Sequence, residues 1–178
     1  MAGQPERAEK LNHTLHWIVD ILDSKGIDNW FISYGTLLGI TREGSCIDGD
    51  DDVDICINHK HWDDIYDVLK KKNMLNPVEE WICDTFICTR RTEKLGQVDF
   101  YLCDVNESGD FNDTWEKVCW KGCYNDDGKL PTAEFQGRLV NVPHNTIQKL
   151  EGRYGSTWRQ RIKRGTPAGD GYRNNTEI

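Results

Sequence analysis

The sequence predicts one α+β domain in which a mixed β-sheet is flanked by helices. Segments with helical spacing of apolar residues alternate with short apolar runs that are typical of strands. A length of 178 residues fits one domain, and the chain shows no internal repeat and no interdomain linker. We expect residues 1–164 to form this domain and residues 165–178 to form a loose C-terminal tail.

The first half of the chain alternates between helix and strand. In the first helix the apolar residues recur at helical spacing, and Gly26 follows as a stop signal. A Gly35-Thr36 turn then leads from a short buried strand into a short helix. The predicted elements are a helix over 6–25, a strand over 30–34, a helix over 36–43, a strand over 53–57 and a helix over 59–72.

The second half is predicted to be mostly β-structure. In one strand, Val98, Phe100 and Leu102 alternate with other side chains, which predicts a single buried face. Residues 106–134 are rich in Gly, Asn and Asp, and so long a stretch between elements is more often functional or locally structured than idle. The predicted elements are strands over 80–90, 96–105 and 137–143 and a helix over 146–155.

Charge and hydropathy exclude several classes of protein. The formal net charge of −8 argues against a general nucleic-acid binder, which usually presents a basic face. No stretch approaches the roughly 20 apolar residues of a membrane span, and the N-terminus lacks the features of a signal peptide. We therefore expect no nucleic-acid partner, no membrane span and a cytoplasmic location.

Seven cysteines allow three interpretations. Cys56, Cys88 and Cys103 lie in apolar runs, where a free thiol behaves as a small buried hydrophobe, and this interpretation is favoured. Cys119-x3-Cys123, with Cys83 or Cys103, is a candidate for structural Zn²⁺, although the paired CxxC spacing of such sites is missing. Disulfides are the third possibility and would require an oxidising compartment.

An unusual group of five aspartates lies between Asp48 and Asp54. Apolar residues alternate with Asp52 and Asp54, so these two carboxylates point to one face of a strand. Like charges so close are unfavourable unless a cation or a shifted protonation state relieves them. An EF-hand is excluded because Val53 occupies the position that requires Gly and His59 the position that requires Glu.

These aspartates fit a catalytic Mg²⁺ or Mn²⁺ site. Hard cations prefer carboxylate oxygens, and Asp99, an isolated acid in a strand typical of the core, is the natural third ligand. Upstream, Gly35 and Thr36 stand at the start of a helix, where backbone N–H groups can bind phosphate. This order of elements is the ground plan of the nucleotidyltransferase fold.

The sequence also resembles the LicD family, which includes fukutin and the fukutin-related protein. The resemblance rests mainly on YGTLLGITREGSCIDGDDDVDI, from residue 34, and extends through QVDFYLCDV to FQGRLVNVP and LEGRYGSTW. One departure is Asp48-Gly49, where the family usually has Pro-Trp. The match spans about residues 10–160.

The resemblance implies a metal-dependent phosphotransferase. Members of the family move a phospho-alcohol group, such as phosphocholine or ribitol phosphate, from a CDP-alcohol donor to a glycan hydroxyl. The implied ligands of Mg²⁺ or Mn²⁺ are Asp52, Asp54 and Asp99, which are also the implied catalytic residues, with Asp99 alternatively a general base. Gly35, Thr36 and Arg42 would contact the donor phosphates, although Arg42 is equally well explained as a partner of a nearby aspartate.

Two other functions remain compatible with the same residues. A true nucleotidyltransferase would use the same acids and differ only in which phosphoryl group moves. A degenerate domain that binds a metal or a nucleotide without catalysis would also retain the fold. The presence of all three acids argues against the degenerate domain.

Overall fold

The structure is a computed structural model that describes residues 5–161 and 176–178, and its elements follow the predicted order. The helices are α1 (Ala8–Ser24), α2 (Tyr34–Glu43), α3 (Trp62–Lys71) and α4 (Thr146–Tyr154). The strands are β1 (Trp30–Ile32), β2 (Asp52–Asn58), β3 (Ile82–Cys83), β4 (Phe86–Cys88), β5 (Gln97–Val105), β6 (Phe111–Asp113), β7 (Val118–Trp120), β8 (Thr132–Phe135) and β9 (Arg138–Asn141).

A mixed sheet with the strand order β1-β2-β5-β4-β3 organises the domain. Its centre is the parallel pair β2 and β5, and the remaining neighbours in this order pair antiparallel. Strands β6 and β7 extend the far end of β5, while β8 and β9 form a separate hairpin. This mixture of parallel and antiparallel strands with helices confirms the predicted α+β class.

Helix α1 forms because its apolar residues repeat on one side. Leu11, Leu15, Ile18 and Leu22 are fully buried, so the helix covers the sheet as its spacing predicts. Gly26, at a φ of 66°, ends the turn that follows. The helix predicted over 59–72 begins instead as a 3-10 turn, His59–His61, before α3.

The prediction of a single strand over 80–90 is wrong. Residues 79–88 form a 3-10 turn, Glu79–Trp81, and a tight hairpin of β3 and β4. Asp84 and Thr85 make the turn between these strands, and the backbone carbonyl of Thr85 accepts a hydrogen bond from the N–H of Leu102 on β5. The apolar content indicated strand correctly, but the two polar residues reverse the chain.

Strand β5 differs from the prediction of one buried face. Val98, Phe100 and Leu102 are buried, and Asp99 and Tyr101 on the other face are buried as well. The reason is its central position between β2 and β4, where neighbouring strands and the elements over the sheet cover both faces. An acid on this strand is therefore enclosed by protein.

The long polar stretch over 106–134 is locally structured, as predicted. It contains β6 and β7 and the start of β8. The last described residues, 176–178, pair with β7, because the N–H of Ile178 donates to the carbonyl of Cys119 and the N–H of Lys121 donates to the carbonyl of Ile178. This end of the expected tail is therefore held against the domain, whereas the expected boundary at residue 164 lies outside the described residues.

All seven cysteines are free, and five of them are buried. Burial raises the pKa of the Cys46 and Cys123 thiols to about 12, so they pack as neutral groups. Within residues 5–161 and 176–178, no cysteine belongs to a group of three or more potential metal ligands. The favoured interpretation of buried thiols is thus supported for Cys56, Cys88 and Cys103, and the zinc interpretation has no structural support.

No helix among the described residues combines the length and the apolar character needed to cross a membrane.

Candidate active site

The parallel pairing of β2 and β5 brings the predicted acids together. Asp54 pairs with Asp99, and Asp52 pairs with Gln97 one step before it. Residues two apart on a strand, and residues paired across neighbouring strands, point to the same face of the sheet. Asp52, Asp54 and Asp99 therefore share one face, and the exposed fractions of Asp54 and Asp99 are only 6% and 8%.

Asp54 is fixed in place by α2 and by β5. The backbone N–H of Asp54 donates to the Thr36 hydroxyl at 2.8 Å, and the N–H of Thr36 donates to Asp54 Oδ2 at 3.4 Å. The Tyr101 hydroxyl donates to Asp54 Oδ1 at 3.1 Å. Thr36, predicted as a phosphate contact, is 1% exposed and in this structure serves to hold Asp54 in position.

Gly35 lies directly under a carboxylate. A Cβ atom at this position would come within 2.5 Å of Asp50 Oδ2 and 3.4 Å of Asp54 Oδ2. A side chain at this position would therefore have to displace the Asp50 carboxylate, whereas its distance to Asp54 would be an ordinary contact. Asp50 is a part of the site that the sequence analysis did not include, although its place in the acidic run was a usable signal.

The pKa values of all three acids are raised above the usual value of an aspartate. Burial, reinforced by the charges of Asp54 and Asp99, raises the pKa of Asp52 to about 10. Burial and the charges of Asp50 and Asp99 raise the pKa of Asp54 well above its usual value. Burial raises the pKa of Asp99 to about 6, and a hydrogen bond from the Gln97 amide at 2.7 Å opposes that rise. The carboxylates thus repel one another and need either protons or a cation.

The donor set fits a hard divalent cation. Carboxylate oxygens of Asp50, Asp51 and Asp52 lie within 4.8 Å of one another, the sole such group of acids, cysteines and histidines in the described part of the chain. Asp52 belongs both to this group and to the predicted set with Asp54 and Asp99. Mg²⁺ and Mn²⁺ prefer such oxygens, and Asp52 is the acid that the two sets share.

The acidic loop before β2 is held by the N-terminal segment. The N–H of Glu6 donates to the carbonyl of Asp50 at 2.8 Å, and the N–H of Gly49 donates to the carbonyl of Glu6 at 2.9 Å. Asp48 Oδ1 accepts a hydrogen bond from the N–H of Ala8 at the start of α1. The departure at Asp48-Gly49 therefore has a structural role, which is to attach this loop to the first helix.

Arg42 does not contact the acids. Its guanidinium donates to Glu43 Oε1 at 2.7 Å and to the backbone carbonyls of Trp158 and Gln160 at 3.4 Å. These contacts support neither alternative from the sequence analysis, since Arg42 pairs with Glu43 rather than with an aspartate of the loop. Its role as a phosphate ligand stays a prediction.

A second cation lies nearer to the acids. Arg91 Nη2 donates to the backbone carbonyl of Asp51 at 2.6 Å, and Arg91 Nη1 lies 3.7 Å from Glu6 Oε1. Its positive charge also acts to lower the pKa of Asp99. Arg91 follows β4 in the sequence, and the pairing of β4 with β5 places it near the site.

A cleft of about 220 Å³ opens beside the acids. It is lined by the acids Asp52 and Asp99 and by aromatic side chains from three parts of the chain. The residues that line it are Asp52, Trp81, Phe86, Gln97, Asp99, Tyr101, Trp115 and Glu116. A lining of both acids and aromatic rings suits a ligand that has both a metal-binding group and a flat or apolar part.

Comparisons with known proteins agree with this geometry. The model of the LicD/FKTN/FKRP nucleotidyltransferase domain matches residues 27–145, more than half of the chain. A search of curated protein sequences found no significant match.

Two solved structures share the fold at low sequence identity. The lincomycin-bound lincosamide antibiotic adenylyltransferase LnuA is 15% identical, with a TM-score of 0.55 over 77% of this chain and 82% of that one. The antibiotic-resistance factor ANT(2'')-Ia is 13% identical, with a TM-score of 0.53 over 76% of this chain and 66% of that one. These likenesses confirm the nucleotidyltransferase-like fold, and the match to the family model shows that the chain belongs to the LicD family.

Proposed function

We propose that the chain is a phosphotransferase that uses Mg²⁺ or Mn²⁺ to move a phospho-alcohol group from a CDP-alcohol donor to a glycan hydroxyl. Membership of the LicD family supports transfer of a phosphate-linked group. The observation that carries the proposal is the convergence of Asp52, Asp54 and Asp99 on one buried face of β2 and β5.

The raised pKa values of these acids support a cation site. A buried carboxyl that serves the fold alone would normally be neutralised by a lysine or an arginine on its own face of the sheet. Asp54 accepts hydrogen bonds from the neutral donors Thr36 and Tyr101, and Asp99 accepts one from the neutral amide of Gln97, while the charge of Arg91 also acts on Asp99. Neutral donors orient a carboxylate without cancelling its charge, which leaves that charge available for a metal.

The residues of the site have distinct roles in the proposed reaction. Asp52, Asp54 and Asp99 hold the cation, and Tyr101 and Gln97 keep Asp54 and Asp99 in orientation. The ion would neutralise charge on the donor diphosphate and on the departing CMP. Gly35 allows the start of α2 to lie close to the Asp50 and Asp54 carboxylates, and backbone N–H groups at this helix start favour anions.

The first test is a set of melting curves. We expect the melting temperature to rise only when Mg²⁺ or Mn²⁺ is combined with a cytidine nucleotide from a panel of CMP, CDP, CDP-choline, CDP-ribitol and CDP-glycerol. At about 100 times its dissociation constant, a ligand stabilises by roughly 2.7 kcal/mol, which a melt detects. A shift that appears with nucleotide but without any metal would contradict the proposed metal site.

The second test follows the chemistry by mass spectrometry. Protein, metal, a CDP-alcohol and a glycan acceptor should yield CMP and an acceptor heavier by the phospho-alcohol. An acceptor that gains a nucleotidyl group would identify a true nucleotidyltransferase instead. Asp52→Asn should abolish turnover, whereas Asp104→Asn, which replaces an exposed acid on the neighbouring strand β5, should leave it unchanged.

A further inference from the structure

One of the side chains that line the cleft beside the acids, Trp115, is unusually exposed. Trp115 is 39% exposed and is the sole aromatic residue among the exposed large hydrophobic side chains of the described ranges. Its ring stacks on Phe86 with centroids 4.4 Å apart and an interplanar angle of 11°. One face of the indole is therefore covered and held, while part of the ring remains accessible beside Asp99.

Buried polar contacts fix the turn that presents Trp115. Asp113, with no exposed surface, accepts hydrogen bonds from the backbone N–H groups of Trp115 at 2.9 Å and Glu116 at 3.2 Å. Its other oxygen accepts a hydrogen bond from the Tyr34 hydroxyl at 2.5 Å. Tyr34 directly precedes Gly35, so this contact joins the wall of the cleft to the start of α2.

The backbone conformation of Tyr34 is an unfavourable one. Its φ of 41° lies in the left-handed region, which a tyrosine rarely adopts. Its ring packs edge-on against Tyr101, with centroids 4.8 Å apart, and Tyr101 in turn donates to Asp54. One connected set of contacts therefore relates the exposed indole to a carboxylate of the site.

We propose that Trp115 is the stacking surface for the nucleobase of the donor nucleotide, and that Asp113 is the positioning residue that holds it at the correct distance from the metal-binding acids. Aromatic side chains stack well on nucleobases, and a ring held on one side by Phe86 loses little freedom on binding. The volume of about 220 Å³ is below the ~300–1,000 Å³ of a pocket for a whole drug-sized ligand, so the cleft suits one part of a nucleotide.

The tryptophan nearest to it in the sequence does not offer a similar surface. Trp120 is 1% exposed and packs edge-on against Phe31 and Tyr34 in the core. Trp115 and Trp120 are the same residue type five positions apart, and their burial separates them. The inference rests on the proposed function for the identity of the donor, but the contact with a base can be measured by itself.

The experiment compares CMP with ribose 5-phosphate, which lacks the base, in titrations of the full chain with Mg²⁺. We expect CMP to bind at least about tenfold more tightly, and Trp115→Leu to remove most of that advantage while leaving the affinity for ribose 5-phosphate unchanged. Trp115→Phe should retain most of the affinity for CMP. Trp17→Leu, on α1 and outside the cleft, is the matched control and should alter neither ligand.

The role of Asp113 is tested with the same two ligands. Asp113→Ala should weaken the binding of CMP more than the binding of ribose 5-phosphate. Asp113→Asn retains an oxygen that can accept hydrogen bonds from the two N–H groups, so it should bind CMP like the parent chain. Melting curves of both variants check that the domain is folded. If Asp113→Ala weakens the binding of both ligands equally, Asp113 serves the fold alone and its positioning role is overturned.

The possible outcomes separate this inference from the proposed function. If the binding of AMP rather than of CMP depends on Trp115, then Trp115 is a stacking surface for a base, but the donor is not a CDP-alcohol. If transfer from a CDP-alcohol occurs but Trp115→Leu affects CMP and ribose 5-phosphate equally, the stacking surface is overturned and the proposed function stands. If neither CMP nor AMP binds more tightly than ribose 5-phosphate, the stacking surface is also overturned.

Discussion

The two faces of the β2–β5 pair are both largely buried and have opposite chemistry. One face carries the aliphatic and aromatic side chains Val53, Ile55, Ile57, Val98, Phe100 and Leu102, all nearly inaccessible. The other face, formed by the alternate residues, begins with Asp52, Asp54 and Asp99 and continues with Cys56, Tyr101 and Cys103. The same strands in the same register thus bury both a hydrophobic core and a group of acids.

The comparison shows what each face contributes. Burial of apolar groups stabilises the fold by about 25 cal/mol for each Å² removed from water. Burial of carboxyl groups opposes their ionisation, as the pKa of about 10 for Asp52 shows. One face of the pair therefore stabilises the domain, and the other face holds a charge arrangement that a cation would relieve.

The largest effect is expected from removing a carboxylate. Asp54→Asn should lower transfer activity at least about 1,000-fold, because a metal ligand is lost where the transition state needs the most charge stabilisation. Without metal the variant should melt at the same temperature as the parent chain or higher, because one source of repulsion is gone. Steady-state rates and melting curves check both statements, and an unfolded variant would contradict the division between the two faces.

The adjacent residue on the other face provides the opposite test. Ile55→Ala should destabilise the domain by about 2–5 kcal/mol, because it leaves a cavity in a fully buried part of the core. Chemical denaturation measures this loss. At a temperature where the variant remains folded, its activity should stay near that of the parent chain. A loss of activity in the folded variant would contradict the assignment of stability to one face and chemistry to the other.

A smaller effect is expected where α2 meets the acids. Gly35→Ala places a methyl group within 2.5 Å of Asp50 Oδ2 and should destabilise the domain by about 1–3 kcal/mol. It should also weaken metal-dependent binding of CMP, because the Asp50 carboxylate must shift. Gly152→Ala on α4, where the new Cβ would meet only the Ile178 side chain at 3.2 Å, is the control for glycine replacement in a helix. Equal effects at both positions would argue against close contact at the site.

The smallest predicted effect concerns pH. The pKa of Asp99 is raised from 3.8 to about 6, so between these pH values the unfolded chain loses its proton first. In the absence of metal, this group's contribution to stability is complete below about pH 4 and is lost as the pH rises through about 6. Melting temperatures of the parent chain should therefore fall by a few degrees more than those of Asp99→Asn over this range.

Two additions sharpen the pH experiment. Asp104→Asn, for which the acid is exposed on the same strand, should show the same slope as the parent chain. Saturating Mg²⁺ should remove the excess slope, because a bound cation replaces the protons. Identical slopes in the parent chain and Asp99→Asn without metal would show that this acid is not enclosed as described.

Much of the fold followed from local patterns. The spacing of Leu11, Leu15, Ile18 and Leu22 determines a helix with one buried side, and Gly44, with a φ of 68°, ends α2. The hairpin over residues 82–88 was missed because an apolar run looks the same whether or not it reverses. The burial of both faces of β5 was not predicted, because the alternation of apolar residues along a strand indicates only one buried face.

The site was predicted in the same partial way. Asp52, Asp54 and Asp99 were identified because charged residues in strands of the core require an explanation. Asp50, Arg91 and Trp115 were not assigned to it, since their relation to the acids depends on the path of a loop and on the neighbours of β5.

The sequence by itself determined the α+β class, the order of elements, the family and the three acids on β2 and β5. The tertiary structure decided which side chains surround those acids, since strand order and register bring together residues far apart in the chain. Trp115 and Trp120 are the clearest case, because the same residue type is exposed in the cleft at one position and buried in the core at the other. The physical reason is that periodicity describes which way a side chain points, whereas only packing determines what it meets.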